Sequence, residues 1–169
     1  MAGSRVVARG RAVAEPFVHH LRVRYSECDS QGVLFNANYL AYIDHTITEL
    51  WRAAYGGYQT MLDRGVDIVV AEVRMRFLGS ARFDEEIALE AVVTNLGTTS
   101  VTSAHRFRRP GGELLLDAEI RHVFVDRETA VKTPMPDWAR AGLERWYLPQ
   151  AAGRAVASPA GPWPPPAGP

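Results

Sequence analysis

From residue 39 to residue 54 apolar side chains, all of them large but Ala54, recur at 39, 40, 43, 47, 50, 51 and 54. That spacing is one stripe on an α-helix, and Asp44, His45, Thr48, Glu49 and Arg52 fall on the other face. The spacing predicts a helix over about 38–55, with Asn36 or Asn38 as its N-cap and Gly56-Gly57 as its stop. Such a helix is roughly 27 Å long at ~1.5 Å per residue. Its apolar stripe must be buried against something, and the chain that follows supplies a partner.

Four strands are predicted after it, over about 66–78, 85–95, 98–109 and 113–126. The second alternates Ile87, Leu89, Ala91 and Val93, and the third places Val101, Ser103, His105 and Phe107 on one face. The fourth alternates Leu114, Leu116, Ala118, Ile120, His122 and Phe124. Asn95-Leu96-Gly97 and Pro110-Gly111-Gly112 mark the turns between them. An earlier strand is predicted from His20 to Glu27, where Leu21, Val23 and Tyr25 alternate with Arg22 and Arg24. One long helix with a meander of strands is an α+β arrangement, an antiparallel sheet whose apolar face the helix covers.

The chain of 169 residues is long enough for one domain with a substantial core. Its formal net charge is zero, and 47% of its residues are hydrophobic. That balance gives nothing to recruit nucleic acid or an acidic membrane surface. No apolar run reaches the ~20 residues of a membrane span. Cys28 is the only cysteine, which forbids an intrachain disulfide and fits a cytoplasmic setting. The histidines are scattered apart from His19-His20, so no metal is expected. Residues 1–16 read as a flexible leader, 17–148 as the folded domain, and 149–169 as a disordered tail holding seven of the eleven prolines.

Between the first strand and the helix, Tyr25, Glu27, Asp29, Gly32, Val33, Phe35, Asn38 and Tyr39 stand at a spacing that resembles a signature. It is that of the 4-hydroxybenzoyl-CoA thioesterase and YbgC-like family of hotdog-fold acyl-CoA thioesterases. Phe77-Leu78 with Ala81-Arg82-Phe83-Asp84-Glu85 resembles the family's entry into the sheet after the helix. Lys132, Pro134 and Pro136 resemble, more weakly, its exit from the last strand. Together the three blocks span roughly 20–137. The resemblance implies a hotdog fold, a sheet wrapped round one central helix, and assembly as a homodimer or homotetramer.

It also implies hydrolysis of an acyl-CoA or acyl-carrier-protein thioester to a free acid and a thiol. Coenzyme A enters as part of the substrate, and no other cofactor is expected. Asp29 would act as general base toward water or as a nucleophile forming a mixed anhydride. The backbone amide of Asn36, seven residues on, would polarise the thioester carbonyl. Read by themselves, Asp29 could merely tighten a turn and Asn36 merely cap the helix. Tyr25, Gly32, Asn38, Tyr39, His45 and Val70 are the candidate substrate-binding positions. Gly32 also has the residue type for a sharp turn, and Tyr39 lies on the apolar stripe. Glu27 reads as a solvated strand-end charge on the same side as Asp29, and Cys28 as a small buried residue. Arg74, Arg76, Arg82, Arg106, Arg108 and Arg121 are the cations available to the CoA phosphates. The alternatives are a non-catalytic acyl-CoA sensor or scaffold, and a hotdog hydratase or dehydratase, whose usual acid–histidine pairing is absent from the motif.

Overall fold

The computed structural model describes residues 15–149. Residues 1–14 and 150–169, which carry most of the expected leader and tail, lie outside the described residues. The first strand, β1 (Phe17–Arg22), leads through a 3₁₀ turn at Tyr25–Glu27 to the helix α1 (Asn36–Tyr55). A short helix, α2 (Tyr58–Asp63), precedes β2 (Val66–Phe77), β3 (Glu86–Leu96), β4 (Ser100–Arg108) and β5 (Leu114–Asp126). The chain then forms a last helix, α3 (Asp137–Leu143). The sheet order is β1-β3-β4-β5-β2, with every neighbouring pair antiparallel. This is the hotdog arrangement, with α1 lying along one face of the sheet.

Period-2 burial explains why the face is apolar. In β3, Ile87, Leu89, Ala91 and Val93 point inwards and are fully buried. In β4 the inward residues are Val101, Ser103, His105 and Phe107, and in β5 they include Leu116, Ala118, Ile120, His122 and Phe124. Onto them α1 lays Tyr39, Tyr42, Ile43, Thr46, Ile47, Leu50 and Trp51. Tyr39 stacks on Phe107 at 6.2 Å, and Trp51 meets His122 edge-on at 5.6 Å. Leu40, expected on this stripe, stands off it and is 39% exposed.

Two expectations about the entry to α1 are corrected. The predicted strand over 20–27 ends at Arg22, because after Val23 the backbone loses its partner: Val23 N–H donates to Glu85 O, Asp84 N–H donates to Val23 O, and the ladder stops. Tyr25 accordingly leaves the sheet and is 80% exposed. Neither Asn36 nor Asn38 is the N-cap; that position is Phe35, which makes no side-chain cap bond. The helix still stops as expected, at Gly56 in the left-handed region (φ 91°). Among the described residues no helix is long and apolar enough to cross a membrane.

The core includes two histidines that the strand alternation had placed inward. His105 is fully buried, with Nε2 2.9 Å from Ser103 Oγ, and His122 is 3% exposed. Burial pulls His105 down to about 3, helped by neighbouring His122, and pulls His122 down to about 4. The unfolded chain takes up these protons near pH 6.5, whereas the folded chain resists them until about pH 3–4. Stability is therefore full above pH 6.5 and falls as the pH is lowered through that window, by up to ~1.4 kcal/mol per pH unit for each histidine. Thermal midpoints measured from pH 7.5 to pH 4.5 should drop on the acid side, and His122→Phe should flatten that drop.

Candidate active site

The segment joining β1 to α1 is a small pinned hairpin. Cys28 bridges Leu34 across it, Asp29 N–H donates to Val33 O at 2.9 Å, and Gly32 N–H donates to Asp29 O at 2.9 Å. Gly32 sits at φ 74°, a left-handed conformation that costs a side-chain-bearing residue about 1–2 kcal/mol, which is why the turn carries glycine. One Asp29 oxygen, Oδ1, accepts the Gln31 N–H at 2.8 Å, tightening the tip. Its other oxygen takes no hydrogen bond among the described residues. Asp29 thus caps its own turn and keeps one carboxylate oxygen available.

The hairpin is stitched to the loop after β2. Leu34 N–H donates to Ala81 O at 2.8 Å, Val33 bridges Arg82, and Ala81 N–H donates to Tyr39 Oη at 3.0 Å. Tyr39, 2% exposed, therefore anchors the loop from inside the core, and its phenol is pushed up chiefly by burial. Asn38 is also an anchor: its Nδ2 donates to Glu27 O at 2.8 Å. The same carbonyl accepts the Phe35 N–H at 2.9 Å. Glu27, expected as a solvated charge, is instead held: its Oε2 accepts Tyr42 O–H at 2.5 Å and Arg24 N–H at 2.9 Å. Cys28, expected to be buried, is half-buried, and its thiol is pushed up by burial and by Asp29 and Glu27, so it stays protonated at neutral pH.

With no cap at Phe35, the first amides of α1, at Asn36 and Ala37, have no acceptor among the described residues. Both residues are exposed. Unpaired N–H groups at the positive end of a helix are an anion-binding arrangement. The hairpin therefore presents a carboxylate oxygen and two backbone donors from one short, pinned stretch.

The remaining candidates spread around this stretch. Tyr25 meets the half-exposed Phe83 edge-on at 5.8 Å. Arg24, Glu27, Asn38, Tyr42 and His45 line a cleft of about 190 Å³ between β1 and α1. His45 is exposed, with Nε2 3.1 Å from Nε2 of His19. Val70 is elsewhere: it lines a separate cleft of about 230 Å³ with Asp44, Thr48, Trp51 and His122, on the β2 side of α1. Asp29 lines neither. Of the six arginines considered for CoA, Arg74 and Arg121 share Glu72, Arg106 pairs with Asp117, and Arg108 pairs with Glu90. Arg76 and Arg82 make no ion pair among the described residues. No group of three or more His, Cys, Asp or Glu that could hold a metal occurs among them either.

A model of the thioesterase-like superfamily matches residues 23–143, a span that runs from the end of β1 through α3. The chain belongs to the thioesterase-like superfamily. It is 28% identical over 106 residues to the acyl-CoA thioester hydrolase YbgC of Escherichia coli O157:H7, covering 63% of this chain and 79% of that one. It is 25% identical over 125 residues to the putative acyl-CoA thioesterase YneP of Bacillus subtilis strain 168, covering 72% and 91%. The fold superposes on the crystal structure of a thioesterase-superfamily protein from Jannaschia sp. CCS1 with a TM-score of 0.74, at 23% identity, covering 79% of this chain and 94% of that one. The enzyme class implied by the motif, a thioester hydrolase, thus stands at the level of the family.

The tie between Glu27 and Tyr42 escaped the sequence reading. Its only trace there is a carboxylate two residues before Asp29 and a tyrosine nearly two turns into the helix. The two placements of Tyr39, packed anchor or substrate contact, separate in one variant. Tyr39→Phe removes the acceptor of a buried N–H and should lower stability by about 1–3 kcal/mol in a denaturant titration, with the Michaelis constant for thioester unchanged.

Proposed function

We propose that this protein hydrolyses acyl-CoA thioesters at the hairpin–helix junction, with Asp29 delivering water and the amides at the start of α1 holding the oxyanion. The observation that carries the reading is an uncapped helix start that follows, seven residues on, an aspartate with one unbonded oxygen, in a chain of a thioesterase family. Water attacks the thioester carbonyl carbon while Asp29 takes its proton. The carbonyl oxygen gains charge and is met by the Asn36 and Ala37 N–H groups. The C–S bond then breaks, and the thiolate leaves as the free CoA thiol once protonated. In the nucleophilic variant, the Asp29 carboxylate attacks first and water cleaves the resulting anhydride. Either route uses the same two parts.

Arg82 is the cation we assign to a CoA phosphate. It is exposed, carries no ion pair among the described residues, and lies on the loop bridged to the Asp29 hairpin through Val33. A second copy of the chain is also part of the proposal. β2 is an edge strand of twelve residues whose outer side has no partner strand among the described residues, and Val69 and Val70 are 46% and 52% exposed. Pairing two copies there would cover those residues and give Val70 a place near a neighbouring site. A carrier-protein thioester would present the same reacting group on the same phosphopantetheine arm.

The test is thiol release from a panel of acetyl-, decanoyl-, palmitoyl- and benzoyl-CoA and an acyl-carrier-protein thioester. Asp29→Ala should lower kcat by about 10²–10⁴-fold. Asn36→Pro is the sharper variant, because proline is accepted at the first helical position and the preceding Phe35 is already extended (φ −60°, ψ 136°). It deletes the amide donor while keeping the helix, and should cost about 10²–10³-fold in kcat. Full activity in both variants would refute the assignment. Arg82→Ala should raise KM for acyl-CoA severalfold while leaving kcat in place.

A further inference from the structure

The loop that carries Asp29 begins at Val23 and ends at Phe35, and one residue in its middle holds both of its ends to α1. Glu27 does this twice over. Its carbonyl accepts the Phe35 N–H at 2.9 Å and Asn38 Nδ2 at 2.8 Å, which fixes the loop to the first turn of the helix. Its carboxylate Oε2 accepts the Tyr42 O–H at 2.5 Å and the Arg24 N–H at 2.9 Å, which fixes it one turn further along and closes the 3₁₀ turn. The Arg24 guanidinium adds a longer contact to the other oxygen, at 3.8 Å. Tyr42 is 4% exposed, so its hydroxyl has no water to fall back on, and the Glu27 side chain is 20% exposed. A short, charge-assisted bond to a buried hydroxyl is among the stronger and more directional ties available to a protein.

We propose that Glu27 is a positioning residue for thioester hydrolysis. Bonded to Tyr42 through its carboxylate and to the start of α1 through its carbonyl, it holds the Asp29 turn and the Asn36 and Ala37 amides in one geometry. The inference rests on the assignment of Asp29 and those amides to the reaction. Glu27 does not touch substrate in this scheme. It acts by keeping the base and the oxyanion donors at a fixed separation across an eight-residue segment with little regular structure of its own. Without the tie to Tyr42, the segment would keep its outer stitches to Ala81 and Arg82 and the carbonyl bonds to Phe35 and Asn38, but lose the side-chain hold one turn further along the helix. A displacement of about 1 Å between reacting groups can cost on the order of a hundredfold in rate.

The bond pattern makes a chemical distinction. Tyr42 O–H and Arg24 N–H converge on the same oxygen, so an amide carbonyl in the same place can accept both. Glu27→Gln should therefore keep most of the geometry, whereas Glu27→Ala removes the side-chain half of it and Glu27→Asp is one methylene too short to reach. A purely structural glutamate would show its loss in thermal stability alone, with kcat per folded site unchanged.

The experiment measures kcat and KM per folded site for whichever of the four acyl-CoA probes turns over fastest, in wild type, Glu27→Ala, Glu27→Gln, Tyr42→Phe, the Glu27→Ala/Tyr42→Phe pair and Asp29→Ala. Thermal midpoints are recorded alongside. Glu27→Ala should lower kcat by about tenfold to a hundredfold with KM within twofold of wild type, and Glu27→Gln should recover most of that loss. Tyr42→Phe should lower kcat in the same sense, and the double variant should be no slower than Glu27→Ala alone, because both remove one shared interaction. If Glu27→Ala does not fold, Tyr42→Phe decides the matter by the same split. Wild-type kcat in both Glu27→Ala and Tyr42→Phe, with Asp29→Ala inactive, would overturn the role of Glu27 and leave that of Asp29 standing. An active Asp29→Ala, or no turnover of any probe by wild type, would overturn both.

Discussion

The packing of α1 on the inner face of β3, β4 and β5 is the contact on which the rest of the molecule depends. Ile43, Ile47 and Leu50 on the helix meet fully buried strand residues such as Ile87, Leu89, Phe107 and Ile120. Each such side chain is worth about 1.5–3 kcal/mol on burial, so the position of the helix is heavily determined. That rigidity lets the first turn of α1 go uncapped. A helix whose stability came from its own ends would need the missing cap, but this one is held by its flank. The amides of Asn36 and Ala37 are therefore left unpaired among the described residues at small cost.

The hairpin before the helix uses the same economy of means. It sets Leu34 into the core and packs Cys28 against it, and is otherwise ordered by hydrogen bonds to elements that are themselves fixed. Ala81 holds it on one side through Leu34 and, from below, through Tyr39. Tyr42 and Asn38, both on α1, hold it on the other through Glu27. Two of these anchors, Asn38 and Tyr39, belong to the motif and had been grouped with substrate-binding positions. In the fold Asn38 bonds the Glu27 carbonyl, and Tyr39 bonds Ala81, whose own carbonyl accepts the Leu34 N–H.

Much of this was visible before the structure. The alternation in β3 and β4 is strict because one face meets a helix and the other does not, so period and burial agree residue by residue; β5 departs from it at Leu115 and Val125, which are buried as well. The stripe on α1 was visible for the same reason, except at Leu40, where the apolar residue faces out. What failed to show was anything decided by contacts distant in sequence. Leu21, Val23 and Tyr25 alternate as a strand should, but the strand ends at Arg22 because β3 begins opposite it, a fact that the local pattern does not contain. Asn36 and Asn38 have the residue type of caps, yet the side chain of Asn38 is claimed by the Glu27 carbonyl, eleven residues back. Val70 and His45 were both among the candidate substrate-binding positions, but the thickness of α1 separates their clefts within one chain.

The central claim is that the donors at the start of α1 and the carboxylate of Asp29 meet the same thioester carbonyl. Amide NMR during titration with a non-hydrolysable acyl-CoA analogue, in which a methylene replaces the thioester sulfur and the carbonyl is kept, tests it directly. Downfield shifts of the Asn36 or Ala37 amide proton, together with perturbation at Asp29 and Gln31, are the predicted result. Saturable binding that leaves all of these resonances in place and perturbs only the cleft around Val70, Asp44 and Thr48 would contradict it.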